Sequence, residues 1–237
     1  TKARRSSDEF GLMLQTFTNR ESISKEHIDD VIITSVVPKV MHSCINGVIK
    51  FFGINPIIVR PGLKSGISVQ LESPKSVGAD RIADCAGAFH HYGGPVLVID
   101  FGTATTYDYV DENGCFKAGV ISVGIETGAN ALWSQAAQLP EIEIKKPKTI
   151  LQRNTQSEME AGIFYQYLGG VEYTIRQFMR ETGRKDMKVI ATGGLGRVIN
   201  NHTPLIDTYD PDLIFKGLNI IYKKNKDEKK SIARPYK

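Results

Sequence analysis

Val96-Leu97-Val98-Ile99 is an unbroken apolar run, and it constrains the fold more than any other segment of the chain. A strand with one face in water alternates apolar and polar residues. A continuous run bounded by turn residues fits a strand covered on both faces. Here Gly93-Gly94-Pro95 precedes the run and Asp100-Phe101-Gly102-Thr103 follows it. Covering both faces takes helices on both sides of a sheet, so the expected class is α/β.

The flanking segments supply the helices. Ser6-Ser7-Asp8 ahead of Glu9-Phe10-Gly11-Leu12 reads as a capped helix start. Val31 to Val37 reads as a buried strand stopped by Pro38, and residues 39–52 read as a helix. Pro56 to Val59 is a second short strand, and residues 61–66 form a Gly-marked loop. Val77 to Tyr92 has a helical period, ended by Gly93-Gly94-Pro95. Tyr107–Val110 and Phe116–Ile121 flank Asn113-Gly114, a hairpin signal. Residues 125–138 and 157–181 read as helices, 140–147 as a loop or edge strand, and Lys188–Ala191 as a buried strand. Pro211–Tyr222 reads as a last helix before a charged, fraying tail. The break at Gly93-Gly94-Pro95 suggests two domains, 1–94 and 95–237.

Composition excludes several classes. Hydrophobic residues make up 41%, which fits a packed globular protein. The net charge of +4 gathers at the ends, from Lys2, Arg4 and Arg5 to Lys223, Lys224, Lys226, Lys229, Lys230, Arg234 and Lys237. Without interleaved aromatics or a DNA-binding motif, such runs read as solvated tails, and no nucleic-acid partner is expected. Cys44, Cys85 and Cys115 are an odd, scattered set, which fits a reducing cytosol rather than a disulfide framework or zinc site. His90 and His91 are neighbours on a helix and point in different directions, a poor metal pair. No apolar run spans a bilayer and no signal peptide is evident, so a cytoplasmic protein with no membrane partner is expected.

Two strand ends carry candidate chemistry. Val98-Ile99-Asp100-Phe101-Gly102-Thr103 puts an acid, a glycine and a hydroxyl at the end of a buried strand, with Thr105 and Thr106 close behind. Ile190-Ala191-Thr192-Gly193-Gly194 puts a hydroxyl and two glycines at another. In open α/β sheets ligands gather at that edge, and glycine lets backbone amides approach a phosphate. An acid beside such a loop can hold a cation or order its waters. Ordinary turn chemistry would also place Asp and Gly there. Neither segment has the Walker pattern or G-x-G-x-x-G. Gly78-Ala79-Asp80-Arg81 opens a helix, where an acid favours the positive end of the dipole. The same pair suits an acceptor alcohol, with Asp80 taking its proton and Arg81 binding a carboxylate. Asn154-Thr155 fits a helix cap as readily as a ligand contact.

Together these motifs resemble the type III pantothenate kinases. The carrying segments are V-G-A-D-R-I-A-D (77–84), V-I-D-F-G-T-A-T-T (98–106), N-T (154–155) and A-T-G-G-L (191–195), with weaker support from I-T-S-V-V-P (33–38) and R-P-G (60–62). The likeness runs from about Asp8 to Tyr222. It implies two related actin-like (ribonuclease H-like) domains with nucleotide in the cleft between them. It implies ATP-dependent phosphorylation of pantothenate to 4'-phosphopantothenate, the first step of coenzyme A synthesis. Asp80 then looks like the catalytic base, and Gly78, Ala79, Arg81 and Thr155 like substrate contacts. Thr103, Gly102, Gly193 and Gly194 look like ATP contacts, and Asp100 like the ligand of a monovalent cation (K+ or NH4+). ATP with Mg2+ and a homodimer are implied as well.

Three departures from the family pattern stand out. The opening strand and D-x-G-N-T phosphate loop do not occur in this sequence, and the resemblance puts them ahead of Thr1. A protein beginning at Thr1 is therefore expected to transfer phosphate poorly or not at all. Leu71 stands where relatives often carry an aromatic residue. G-G-x-I-x-P-G is replaced by Ala118-Gly119-Val120-Ile121-Ser122-Val123-Gly124, an altered turn that keeps Gly119 and Gly124. Rival readings are a kinase-fold regulatory protein resembling a transcriptional accessory factor, another small-molecule kinase of the superfamily, and an interaction scaffold. The first would bind DNA in a salt-sensitive way. The G-A-D-R motif speaks against the second, and the chain has no repeat to support the third.

Overall fold

The computed structural model describes residues 5–35, 37–60 and 62–232. The α/β class holds: helices and strands alternate along the chain. The chain packs as two compact units. The first takes residues up to Gly66, then Ser73–Ala86, then Ile214 onward, and the second takes Ile67–Glu72 and Gly87–Leu213. The division expected at residues 94 and 95 is not the one the packing makes. A helix from the end of the chain returns to the first unit, and a short strand before residue 72 joins the second unit's sheet.

In the first unit, α1 (Ser7–Arg20) starts at the expected cap. Ser6 Oγ accepts from Glu9 N at 3.2 Å, and Glu9 Oε2 accepts from Ser6 N at 2.6 Å, the reciprocal pair of a capping box. Strand β1 (Ile32–Ile33) pairs in parallel with β2 (Ile57–Ile58). The expected strand over 31–37 is thus only two residues long and half-buried, and Val36 lies outside the described residues. Its cause is local. Ser35 Oγ accepts from Val37 N at 3.1 Å, giving the backbone a turn in place of a ladder. Helix α2 (Pro38–Phe52) follows, closed by Gly53 in the left-handed region.

The last helix, α7 (Leu213–Ile232), continues ten residues past the expected end at Tyr222. Asn225 is 3% exposed. Its side chain accepts from Lys64 N at 3.1 Å and donates to Lys64 O at 2.9 Å and Ile221 O at 2.6 Å. A buried amide so satisfied holds the helix through the region expected to fray. Leu218 and Ile221 of α7 pack on Val59 and Ala83, the latter on α3 (Ala79–Tyr92).

The second unit is one six-stranded sheet. Its strands are β3 (Ser68–Val69), β4 (Val96–Phe101), β5 (Ala104–Val110), β6 (Cys115–Val123), β7 (Lys188–Thr192) and β8 (Thr208–Tyr209), in the order β3-β6-β5-β4-β7-β8. Counted from β4, five of them lie three-two-one-four-five. β5 and β6 are antiparallel on one side, and β7 and β8 parallel on the other. The apolar run is therefore interior, and Val96 to Ile99 are at most 1% exposed. Leu97, Ile99 and Phe101 pack with Tyr107, Phe164, Ile175 and Val189.

The hairpin turns where expected. Asp111 Oδ1 accepts from Asn113 N at 2.9 Å and Cys115 N at 2.8 Å, and both strands are longer than the periodicity indicated. Residues 140–147 form no strand. Helices α4 (Ile125–Gln135), α5 (Thr155–Thr182) and α6 (Gly196–Asn200) complete the unit. α6, β3 and β8 were not foreseen, being too short to show a period. Among the described residues no helix is long and apolar enough to cross a membrane.

Candidate active site

The two glycine-bearing strand ends lie side by side. β4 and β7 run parallel with Asp100 opposite Thr192, so both loops leave the same edge of the sheet together. Gly193 has φ +90, and a Cβ there would lie 2.4 Å from Asp100 Oδ1 and 2.6 Å from Phe101 N. Only glycine both adopts that conformation without strain and leaves that space. Gly102, Thr103 and Gly194 are exposed at this edge, while Asp100 and Gly193 are half-buried and Thr192 is buried.

A third segment joins them. Gly124 N donates to Thr103 O at 3.1 Å, and Thr127 Oγ1 donates to the same carbonyl at 2.8 Å. A Cβ on Gly124 would come within 2.3 Å of Gly102 O. The altered 118–124 segment therefore keeps the glycine that the loop beside it requires. The threonine run divides by role: Thr103 is exposed at the loop, whereas Thr105 is fully buried and shares a hydroxyl bond with Tyr167.

Asp80 and Arg81 lie in the first turn of α3, in the first unit. Both are half-buried, as are Gly78 and Ala79. Asp80 Oδ1 accepts from Arg81 N at 2.8 Å, and Gly78 O accepts from Ile82 N at 3.2 Å. The carboxylate thus sits at the positive end of the helix dipole. Thr155 is the exposed first residue of α5, and Asn154 is its N-cap, accepting from Ser157 N at 3.0 Å. The cap reading of Asn154 holds, and it leaves Thr155 presented at a helix N-terminus. His90 and His91 are exposed near the end of α3, and no cluster of three or more His, Cys, Asp or Glu side chains forms among the described residues.

Sequence reasoning missed the residues that brace the loops. Thr127 was hidden in a helix with no motif. Tyr209, whose hydroxyl donates to Gly193 O at 2.8 Å, lies on a two-residue strand with no period to betray it. A cavity of about 370 Å³ opens beside Gly124 and runs between β5, β6, α4 and α5, past Tyr107, Ile125 and Tyr167. Burial pushes the Tyr107 phenol above its ordinary range, with Tyr167 adding to the shift, so it stays a neutral hydroxyl.

Two glycine-bearing loops at one edge of a mixed sheet define an α/β protein whose ligands are expected at that edge, a class that includes kinases. Comparison with known proteins narrows this. The family model for type III pantothenate kinases matches residues 1–177. A type III pantothenate kinase of Bifidobacterium longum (strain DJO10A) is 58% identical over 225 residues, covering 95% of this chain and 88% of that one. One from Agathobacter rectalis is 54% identical over 224 residues, covering 94% and 86%. The chain belongs to the type III pantothenate kinase family. The activity its motifs implied, phosphorylation of pantothenate with ATP in coenzyme A synthesis, is that of this family of kinases, which use ATP and a divalent metal.

A crystal structure of a conserved Baf family transcriptional activator from Campylobacter jejuni superposes with TM-score 0.56 at 22% identity, covering 90% of this chain and 89% of that one. At that identity the likeness speaks to the fold alone.

Proposed function

We propose that this chain phosphorylates the hydroxyl of pantothenate, with Asp80 as the base and the Gly102-Thr103 and Gly193-Gly194 loops as the nucleotide seat. The observation that carries the seat is the parallel register of β4 and β7, with Asp100 opposite Thr192. In the reaction a bond forms between the pantothenate hydroxyl oxygen and the γ-phosphorus, the bridging bond to the β-phosphate breaks, and ADP leaves. Asp80 takes the hydroxyl proton. Such a transfer needs positioning and charge neutralisation more than covalent help from the protein. Arg81, with Gly78 and Ala79 beside it, is assigned to the pantothenate carboxylate, which a guanidinium binds with two parallel hydrogen bonds. Thr155, exposed at a helix N-terminus, is assigned to the same substrate.

The cation reading rests on Asp100. Asp100 is a half-buried carboxylate at the edge of the loop, and a carboxylate oxygen is the donor type that a hard cation takes. A potassium or ammonium ion there would help neutralise the phosphoryl oxygens, alongside the magnesium carried with ATP. The test is a coupled ATP assay with pantothenate on the full reading frame, in potassium and in sodium. Replacing potassium by sodium should cut turnover about tenfold or more, and Asp100→Asn should abolish that preference. Equal rates in both salts would remove the assignment of Asp100.

A homodimer is part of the proposal. β6 is paired with β3 only at Cys115 and Phe116, so among the described residues its outer edge from Lys117 onward has no strand partner. Along it Val120, Ile121 and Val123 are 43%, 63% and 59% exposed, with Leu132 nearby in sequence at 42%. An unpaired apolar edge of this kind invites a second chain. Ile121→Lys is expected to turn a dimer into a monomer in sedimentation velocity at micromolar protein. A wild-type monomer under the same conditions would defeat the proposal.

A further inference from the structure

We propose that Tyr209 is a positioning residue for the nucleotide loop: its hydroxyl fixes the Gly193 carbonyl and thereby aims the Gly194 amide at an acceptor oxygen of ATP. The inference rests on the nucleotide seat described above. Gly193 O is held twice, by Tyr209 Oη at 2.8 Å and by Gly196 N at 3.2 Å. The peptide joining Gly193 to Gly194 is trans, so its N–H points opposite to its C=O. Pinning the oxygen on the Tyr209 side therefore turns the Gly194 N–H to the other side. Gly194 is exposed, and among the described residues its N–H donates to no backbone carbonyl. A fixed, open amide beside a glycine with φ +90 is the kind of donor that binds anionic or ribose oxygens.

Tyr209 is itself held firmly. It stands opposite Ala191 in the β7–β8 ladder, and the next residue, Asp210, donates its N–H to Ala191 O at 2.8 Å. Its ring packs against Gly196, where an added Cβ would lie 2.5 Å from Tyr209 Cε2. Arg197 covers the ring, with its guanidinium carbon 5.9 Å from the centroid. The hydroxyl is thus carried by a ring with little freedom, which suits a part that sets direction rather than one that merely fills space.

The test pairs Tyr209→Phe with Arg197→Ala. The first keeps the ring and removes the O–H; the second strips the ring cover and leaves the O–H. Binding of the non-hydrolysable ATP analogue AMP-PNP with magnesium is measured by calorimetry, with KM for ATP and for pantothenate measured separately. Tyr209→Phe is expected to weaken the analogue and raise KM for ATP about five- to tenfold, the size of one lost hydrogen bond, with KM for pantothenate unchanged. Arg197→Ala should leave nucleotide affinity within about twofold, because the β7–β8 ladder and the contact with Gly196 still hold the ring. Unchanged affinity in Tyr209→Phe, equal weakening in the two variants, or a matching rise in both KM values would overturn the role of Tyr209 while leaving the seat intact. Failure of the wild type to bind the analogue at all would instead overturn the nucleotide seat and this inference with it.

Discussion

Asp80→Asn should lower kcat by about a hundred- to ten-thousand-fold, the range for removing a general base. Asparagine has nearly the same shape, and its oxygen can still accept the Arg81 amide that Asp80 Oδ1 holds at 2.8 Å. What it lacks is a basic carboxylate to receive the hydroxyl proton. The expected structural cost is the charge at the start of α3, about 0.3–1 kcal/mol. A coupled assay and a thermal melt on the same sample separate the two effects. KM for ATP should not change, because Asp80 is assigned to the pantothenate hydroxyl and not to the nucleotide. If the variant kept a tenth or more of wild-type kcat, Asp80 would be an orienting residue or a helix-start acid, and the base would have to be sought elsewhere.

The second large effect is expected at Gly193. Alanine there meets two objections at once. A φ of +90 costs a residue with a side chain about 1–3 kcal/mol. Its Cβ would also press on Phe101 N and C, backbone atoms of the neighbouring strand end that cannot step aside, as well as on the Asp100 carboxylate. The β4 exit must shift, and with it the loop that carries Thr103. Gly193→Ala should lower the melting temperature by about 5 °C or more and weaken nucleotide binding well beyond tenfold. Gly194→Ala is the matched comparison for stability, since nothing lies within 4 Å of its added methyl. Equal melting temperatures for the two variants would show that the close approach at Gly193 is relieved easily.

The parts of this protein that could be read from its sequence are those with a long local signal. The four apolar residues at 96–99 announced an interior strand, and Ser6 with Glu9 announced a helix start, because each pattern acts over a few neighbouring residues. Asp100, Gly102, Thr103, Gly193 and Gly194 were legible as loop chemistry, and the β4–β7 register brings the two loops to one edge. What escaped was set by distant partners. The final helix outlasts its apolar period because Asn225 is tied to a backbone 161 residues away. The strand after Val31 is cut short by a serine hydroxyl bonding its own chain two residues on. Thr127 and Tyr209 matter through one hydrogen bond each to a carbonyl, and no spacing rule marks a residue for that.

The tie between Lys64 and Asn225 also orders events on the ribosome. Domains generally fold as units and N-terminal first during synthesis. Here the first unit, whose earliest residues precede all of the second, needs residues from Ile214 onward. Its Val59–Ala83 surface, covered in part by Ile32 and Leu63, waits for Leu218 and Ile221 to complete the cluster. The second unit, whose chain is complete at Leu213, has every strand it needs before then. The half translated first is therefore the half finished last, and the nascent chain carries an open apolar seam through most of its synthesis.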